Sequence, residues 1–185
     1  PEMDPARRVL GVIRPTAECI GQITHSRHVG ILATSGTISS GSYPLEIRKL
    51  YPDIVVSGEA CPMWVPLVEN YEYDSPGADY FVEKRIGNLL RKDPAIDTIV
   101  LGCTHYPLLL NKILKYTPRN VRIVPQGEYV AYSLKDYLQR HTEIETLCTQ
   151  SGTCRFLTTE SPDKFMESAS IFLRQHVEAE RVVLE

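Results

Sequence analysis

Apolar residues along this chain fall into short unbroken runs, separated by longer stretches in which they recur every three or four positions. That alternation predicts strands and helices in turn, as in a β-α-β fold. His28-Val29-Gly30-Ile31-Leu32-Ala33, Ile54-Val55-Val56-Ser57, Thr98-Ile99-Val100-Leu101 and Val121-Arg122-Ile123-Val124 read as buried strands. Between them, residues 34–42 read as a small-residue loop opening a helix with Leu45, Ile47 and Leu50. Asp74-Ser75-Pro76-Gly77 reads as a turn, followed by a helix with Ala78, Phe81, Val82, Ile86, Leu89 and Leu90 that stops at Asp93-Pro94. Ahead of the first strand, Arg7 to Ile13 resembles a short strand or connector, and Thr16 is placed to cap a helix running to about Ile23. Residues from about 28 to 124 are thus predicted to make a parallel sheet with helices on its faces.

Beyond Pro125 the pattern thins. It leaves a helix with Val130, Leu134 and Leu138, a polar loop through Gly152, a strand at Cys154-Arg155-Phe156-Leu157, and a helix with Phe165, Ala169, Phe172 and Leu173. One strand cannot cover two apolar helix faces. The expected fold class is therefore α/β: a doubly wound parallel-sheet lobe over residues 1–124 and a partial second α/β lobe over 125–185.

The 185 residues are 43% hydrophobic, with 23 acidic and 20 basic side chains for a net charge of −3. This is the composition of an ordinary soluble protein. No basic stripe interleaved with aromatics points to nucleic acid, so a small molecule is the expected partner. No apolar run approaches the roughly 20 residues of a membrane helix. Pro1-Glu2-Met3-Asp4-Pro5 does not resemble a signal peptide, and the cytoplasm is the expected location. Five cysteines form no CxxC pair and are odd in number, which argues against a disulfide framework. Cys103 and His105 supply two conceivable zinc ligands, but no second close ligand pair exists, and no metal is expected.

The chemistry concentrates in Val100-Leu101-Gly102-Cys103-Thr104-His105-Tyr106-Pro107-Leu108-Leu109. Gly102 breaks the apolar strand, and Pro107 suits the first turn of a helix carrying Leu108, Leu109 and Leu110. Cys103 is expected at a strand's carboxyl end, facing a helix N-terminus that favours thiolate, in the place where open α/β sheets bind ligands. A thiol two residues from an imidazole is a proton-handling pair. Cys61, flanked by proline and apolar residues, is expected to be inert, and Cys19 to be a small core residue.

Four segments resemble those of the glutamate racemases, within the cofactor-independent aspartate/glutamate racemase superfamily. Leu101-Gly102-Cys103-Thr104-His105-Tyr106-Pro107-Leu108 is similar to the second catalytic-cysteine motif, and Glu59-Ala60-Cys61-Pro62-Met63-Trp64-Val65-Pro66-Leu67-Val68-Glu69 to the ACP…VPLVE segment. Weaker likenesses are Ala33-Thr34-Ser35-Gly36-Thr37-Ile38-Ser39-Ser40, and Phe156-Leu157-Thr158-Thr159 with Pro162 and Phe165. The resemblance implies interconversion of L- and D-glutamate for peptidoglycan precursors, with no cofactor. Two cysteines from two lobes would exchange thiol and thiolate roles across the α-carbon. Cys103 matches the second of them, while Thr104 and His105 match substrate-carboxylate or cysteine-assisting positions. Glu69 matches an acid that supports the histidine. Thr37 is read equally as a substrate contact or a helix cap. A homodimer is compatible with all of this.

The resemblance also predicts what is not here. The first-lobe Asp-Ser-Gly and Cys-Asn-Thr segments have no counterpart, so the chain is expected to carry one of the two thiols and to be inactive alone. Pro125-Gln126-Gly127 departs from the family's acid-small-Gly. The competing expectations are a thiol hydrolase performing acyl transfer through Cys103 and His105, and an interaction domain that kept the fold and lost catalysis.

Overall fold

The structure is a computed structural model and describes residues 9–184. The chain folds into two compact units, the first ending at Asp136 and the second starting at Tyr137. The expected boundary at 124/125 lies at the head of the helix in which this division falls, α7 (Gln126–Arg140).

The first unit is built on one parallel sheet of β1 (His28–Ala33), β2 (Val55–Ala60), β3 (Thr98–Leu101) and β4 (Arg122–Pro125). The strand order is β2-β1-β3-β4. Val29 pairs with Val56 on one side and Thr98 on the other, and Thr98 pairs with Arg122. The two central strands are buried almost throughout, which is why their sequences are continuous apolar runs without alternation. On one face Val29, Ile31 and Ala33 pack with Ala17 and Ile20 of α1 (Ile13–Ile23) and Tyr43 and Ile47 of α3 (Ser42–Leu50). Gly30, whose side turns the other way, leaves room for Leu89 of α5 (Pro76–Lys92): a β-carbon there would sit 2.7 Å from the leucine methyl. Burying each such aliphatic chain contributes about 1.5–3 kcal/mol.

Several expectations change. Val9–Gly11 form no strand, and Ile13 already belongs to α1; Arg7 and Arg8 lie outside the described residues. Thr16 sits inside α1, because the helical period of Ile13, Ala17 and Ile20 begins upstream of it. Residues 34–42 are not a loop but a short helix, α2 (Ser35–Ser40), stopped by Gly41 in the left-handed conformation at φ 63°. β2 extends to Ala60 beyond the predicted Ser57, since Gly58 and Glu59 pair with Ile31 and Leu32. Glu59 hid that extension: it is buried, and its carboxylate accepts hydrogen bonds from Arg85 (2.9 Å), Asn88 (3.0 Å) and Lys92.

The second unit holds the end of α7, α8 (Thr142–Glu145), β5 (Phe156–Thr158), α9 (Pro162–Leu173) and β6 (Ala179–Arg181). The tail therefore has two strands where one was expected. They pair in parallel, Phe156 with Ala179 and Thr158 with Arg181. Ala179-Glu180-Arg181 is too short and polar to announce itself in the sequence. Phe156 stacks near Phe165 at 6.3 Å, and Val177 is the one buried residue among those described from 137 onward.

Candidate active site

Three loops leave the carboxyl ends of β1, β2 and β3, and each carries part of the expected site. After β3, Gly102 is closely packed: a β-carbon would meet Ala33 Cβ and Tyr43 Cε2, each at 3.1 Å, so either neighbour would have to give way by a few tenths of an ångström. The chain then turns through Cys103 and Thr104 into a 3-10 turn over Tyr106–Leu109, with Pro107 in its first positions, and on into α6 (Leu110–Tyr116). The helix expected directly after the motif thus starts with tighter winding, as short helix ends often do.

His105 occupies the cap position of that turn, yet its side chain makes no capping bond. Instead the ring lies between sulfur and carboxylate. Cys103 Sγ is 3.8 Å from His105 Nδ1, and Glu69 Oε1 is 3.4 Å from Nε2. Thr104 Oγ1 lies 3.5 Å from the same Nδ1. Cys103 and His105 are half-buried and Thr104 is exposed. Histidine with a carboxylate on one nitrogen and a thiol on the other can hold a proton for the sulfur and return it, while the carboxylate fixes the ring's orientation.

Glu69 ends α4 (Trp64–Glu69), in the loop after β2. This helix is docked by a contact outside the set of residues singled out from sequence. Trp64 and Tyr106 are both fully buried with ring centroids 4.7 Å apart, edge to face. The Tyr106 hydroxyl donates to the Cys61 carbonyl at 3.2 Å. Such a ring pair contributes about 0.5–1.5 kcal/mol beyond its buried area, and here it fixes α4 against the Cys103 loop. The signal was present: aromatics inside two apolar motifs at a sheet's carboxyl edge. Cys61 is fully buried, with its sulfur 3.7 Å from the Glu59 carbonyl, and burial, aided by the Glu59 charge, pushes its thiol well above the usual range. It is a packing residue, as its surroundings predict.

The loop after β1 carries Thr37. Thr34, not Thr37, caps α2: its Oγ1 accepts from the Thr37 amide at 3.3 Å and shares a hydrogen bond with the Thr37 hydroxyl at 3.0 Å. Thr37 also edges an apolar slot of Ile31, Ile38, Pro44 and Val56, with Tyr43 as the second polar member. Thr37 and the Cys103 group thus stand at the same edge of the sheet, after adjacent strands. Among the described residues, no three His, Cys, Asp or Glu side chains gather to hold a metal. No helix of the described residues is long and apolar enough to cross a membrane.

Residues 8–128 match the Asp/Glu/Hydantoin racemase family. The chain is 35% identical over 170 residues to the glutamate racemase of Thermoanaerobacter sp. (strain X514), covering 92% of this chain and 63% of that protein. With the glutamate racemase of Streptococcus equi subsp. equi (strain 4047) it shares 36% identity over 176 residues, 95% of this chain and 66% of the other. The crystal structure of the glutamate racemase isoform RacE1 from Bacillus anthracis superposes on 99% of this chain and 67% of its own, at 30% identity and a TM-score of 0.87. The chain spans a little under two thirds of the length of the curated relatives it matches. The matched range contains the parallel sheet, both motifs and the thiol-imidazole-carboxylate row, and the chain belongs to the Asp/Glu/Hydantoin racemase family.

Proposed function

We propose that this chain is the Cys103-bearing part of an amino-acid racemase acting on glutamate, an isomerase that moves the α-proton with two thiols and no cofactor. The observation that carries the proposal is the row Cys103 Sγ, His105, Glu69, spaced at 3.8 Å and 3.4 Å along the carboxyl edge of the sheet. An α-proton beside a carboxylate is a very weak acid, so its removal needs a base seated against the carbon, and inversion needs a donor on the opposite face. Cys103 serves one face. His105 takes up and returns the thiol proton between turnovers, Glu69 holds the ring, and Thr104 and Thr37 offer hydroxyls to the substrate's carboxylate. The division into lobes at 124/125, a cytoplasmic site of action and supply of D-glutamate to peptidoglycan precursors follow from the same family membership and are part of this proposal.

Taken by themselves, the 185 residues offer one thiol at such a motif, and the expected outcome is no net racemisation. The test is incubation of the chain with L-glutamate in deuterium oxide. Racemisation is read by polarimetry and α-deuteration by NMR. Slow α-deuteration that disappears in Cys103→Ala, without inversion, supports the proposal. Turnover retained in Cys103→Ala overturns it.

A further inference from the structure

Between the first two strands and the helices α2 and α3 lies the apolar slot that the mechanism above touches only at its edge, through Thr37. On the sheet side it is lined by Ile31 of β1 with Val56 and Gly58 of β2. Val56 and Gly58 stand two apart, so they face the same side of the sheet. Gly58 keeps that side open: a β-carbon there would lie 3.1 Å from Ile38 Cδ1 and 3.6 Å from Ile38 Cγ2, in the space between strand and helix. Ile38 of α2 and Pro44 of α3 supply the facing apolar surface, and Thr37 and Tyr43 are the polar members. Ile31 and Tyr43 are buried, whereas Thr37, Ile38, Pro44 and Val56 are half-buried, and the slot is partly open to solvent.

Size and lining together say what fits. The slot has a volume of about 140 Å³. An apolar cavity of about 150 Å³ holds one benzene molecule. None of the side chains that line the slot is charged. A carboxylate or ammonium placed among them would give up its water without gaining a partner, which makes the slot a poor place for glutamate. We propose that the slot is a binding site for a single uncharged aromatic ring, separate from the loops that would take the amino acid. A hydroxyl substituent on that ring has a partner of matching chemistry in Thr37. The Thr37 hydroxyl shares one hydrogen bond with Thr34 Oγ1, at 3.0 Å, and a hydroxyl has one donor and two acceptor positions, so capacity remains. The proposal goes beyond the racemase reading and does not rest on it, because the ring is held by packing and not by the Cys103 group.

The test uses phenol as the probe and methyl NMR of the intact 185-residue chain at about pH 7, where phenol is uncharged. Saturable shifts of the Ile31, Ile38 and Val56 methyl signals are expected, with a midpoint of about 1 mM for a ligand of this size. Benzoate, a ring of similar size that is charged at this pH, should bind at least about tenfold more weakly. Val56→Phe puts a ring of the chain's own into the slot and should weaken phenol by about tenfold or more. Shifts that fail to saturate, that appear equally at exposed Leu147 and Leu157, or that persist unchanged in Val56→Phe overturn the proposal. Equal binding of benzoate overturns the uncharged class. If Val56→Phe does not fold, Gly58→Ala decides, since it adds one methyl facing Ile38: phenol weakened about threefold supports the site, and unchanged affinity defeats it. Phenol binding is read without any amino acid present, so a failure of glutamate exchange counts against the racemase reading and leaves this result standing.

Discussion

The two units use the same device, parallel strands joined through a helix, to opposite effect. In the first, four strands are covered by helices on both faces, and β1 and β3 are sealed. In the second, two strands of three residues each pair in parallel, and Val177 is the one buried residue described. Parallel ladders are slightly weaker than antiparallel ones and depend on burial of both faces, so the arrangement that makes the first unit rigid leaves the second without a core of its own. Leu157 and Ile171 are about half exposed, at 46% and 45%, which is what a helix and strand look like when little sheet lies behind them.

The sharpest way to break this contrast is a pair of truncations. Leu101→Ala in β3, where the side chain is 1% exposed, should cost about 2–5 kcal/mol of unfolding free energy. Leu157→Ala in β5 should cost well under about 1 kcal/mol. Urea titrations followed through Trp64 fluorescence for the first unit and circular dichroism for the whole chain would measure both. Equal losses at the two sites would mean that the second unit has a packed interior after all.

Acid is a second, somewhat smaller lever on the same difference. Burial opposes the charge on Asp97, but bonds from Thr24 Oγ1 (2.6 Å), the Ser26 amide (2.6 Å), Thr98 Oγ1 (2.8 Å) and the His25 amide (2.7 Å) outweigh it and hold the carboxyl well below its usual range. Glu59 is likewise lowered, its burial outweighed by Lys92, Asn88 and Arg85. Between the folded and unfolded pKa values the unfolded chain binds more protons, so these groups stabilise the fold fully above about pH 5 and lose that contribution as pH falls below about 4. The melting temperature of the first unit should therefore drop between pH 5 and 3, and Asp97→Asn should flatten the drop. A profile as steep in Asp97→Asn as in the parent chain would exclude Asp97 as its source.

The smallest expected effect concerns the ring pair that docks α4. Tyr106→Phe keeps the edge-to-face contact with Trp64 and removes the hydrogen bond to the Cys61 carbonyl, for a loss of about 1 kcal/mol. The measurement is again a urea titration. A loss above about 3 kcal/mol would show that the hydroxyl, rather than the ring, carries the docking.

Much of this was legible in the residues because the physics is local. A strand buried on both faces can only be a continuous apolar run, and His28–Ala33 and Thr98–Leu101 fall where those runs do. Pro76 and the Ser75 side chain, which accepts from the Ala78 amide, mark the start of α5 in the sequence itself. What stayed hidden depended on partners far along the chain. Glu59 reads as polar until Arg85 and Lys92 are brought beside it, and Ala179-Glu180-Arg181 becomes a strand only because Phe156-Leu157-Thr158 lies alongside. At the site, the spacing of Cys103 and His105 was plain but the facing of ring to sulfur was not. It follows from the turn through residues 103–105 and from Glu69 arriving on α4. Tyr106 sits inside a legible motif, but its docking role does not show there, because that role runs through Trp64 of another segment and a backbone carbonyl.

The strand order β2-β1-β3-β4 has one more outcome. The chain leaves β1 toward one neighbour and, after passing back over it, reaches the other, so the segments that follow β1 and β3 diverge and a notch opens between them. Thr37 and Thr104 stand on the segments that follow those two strands, so a substitution at either alters the rim at the sheet's carboxyl edge and leaves the four paired strands beneath it untouched.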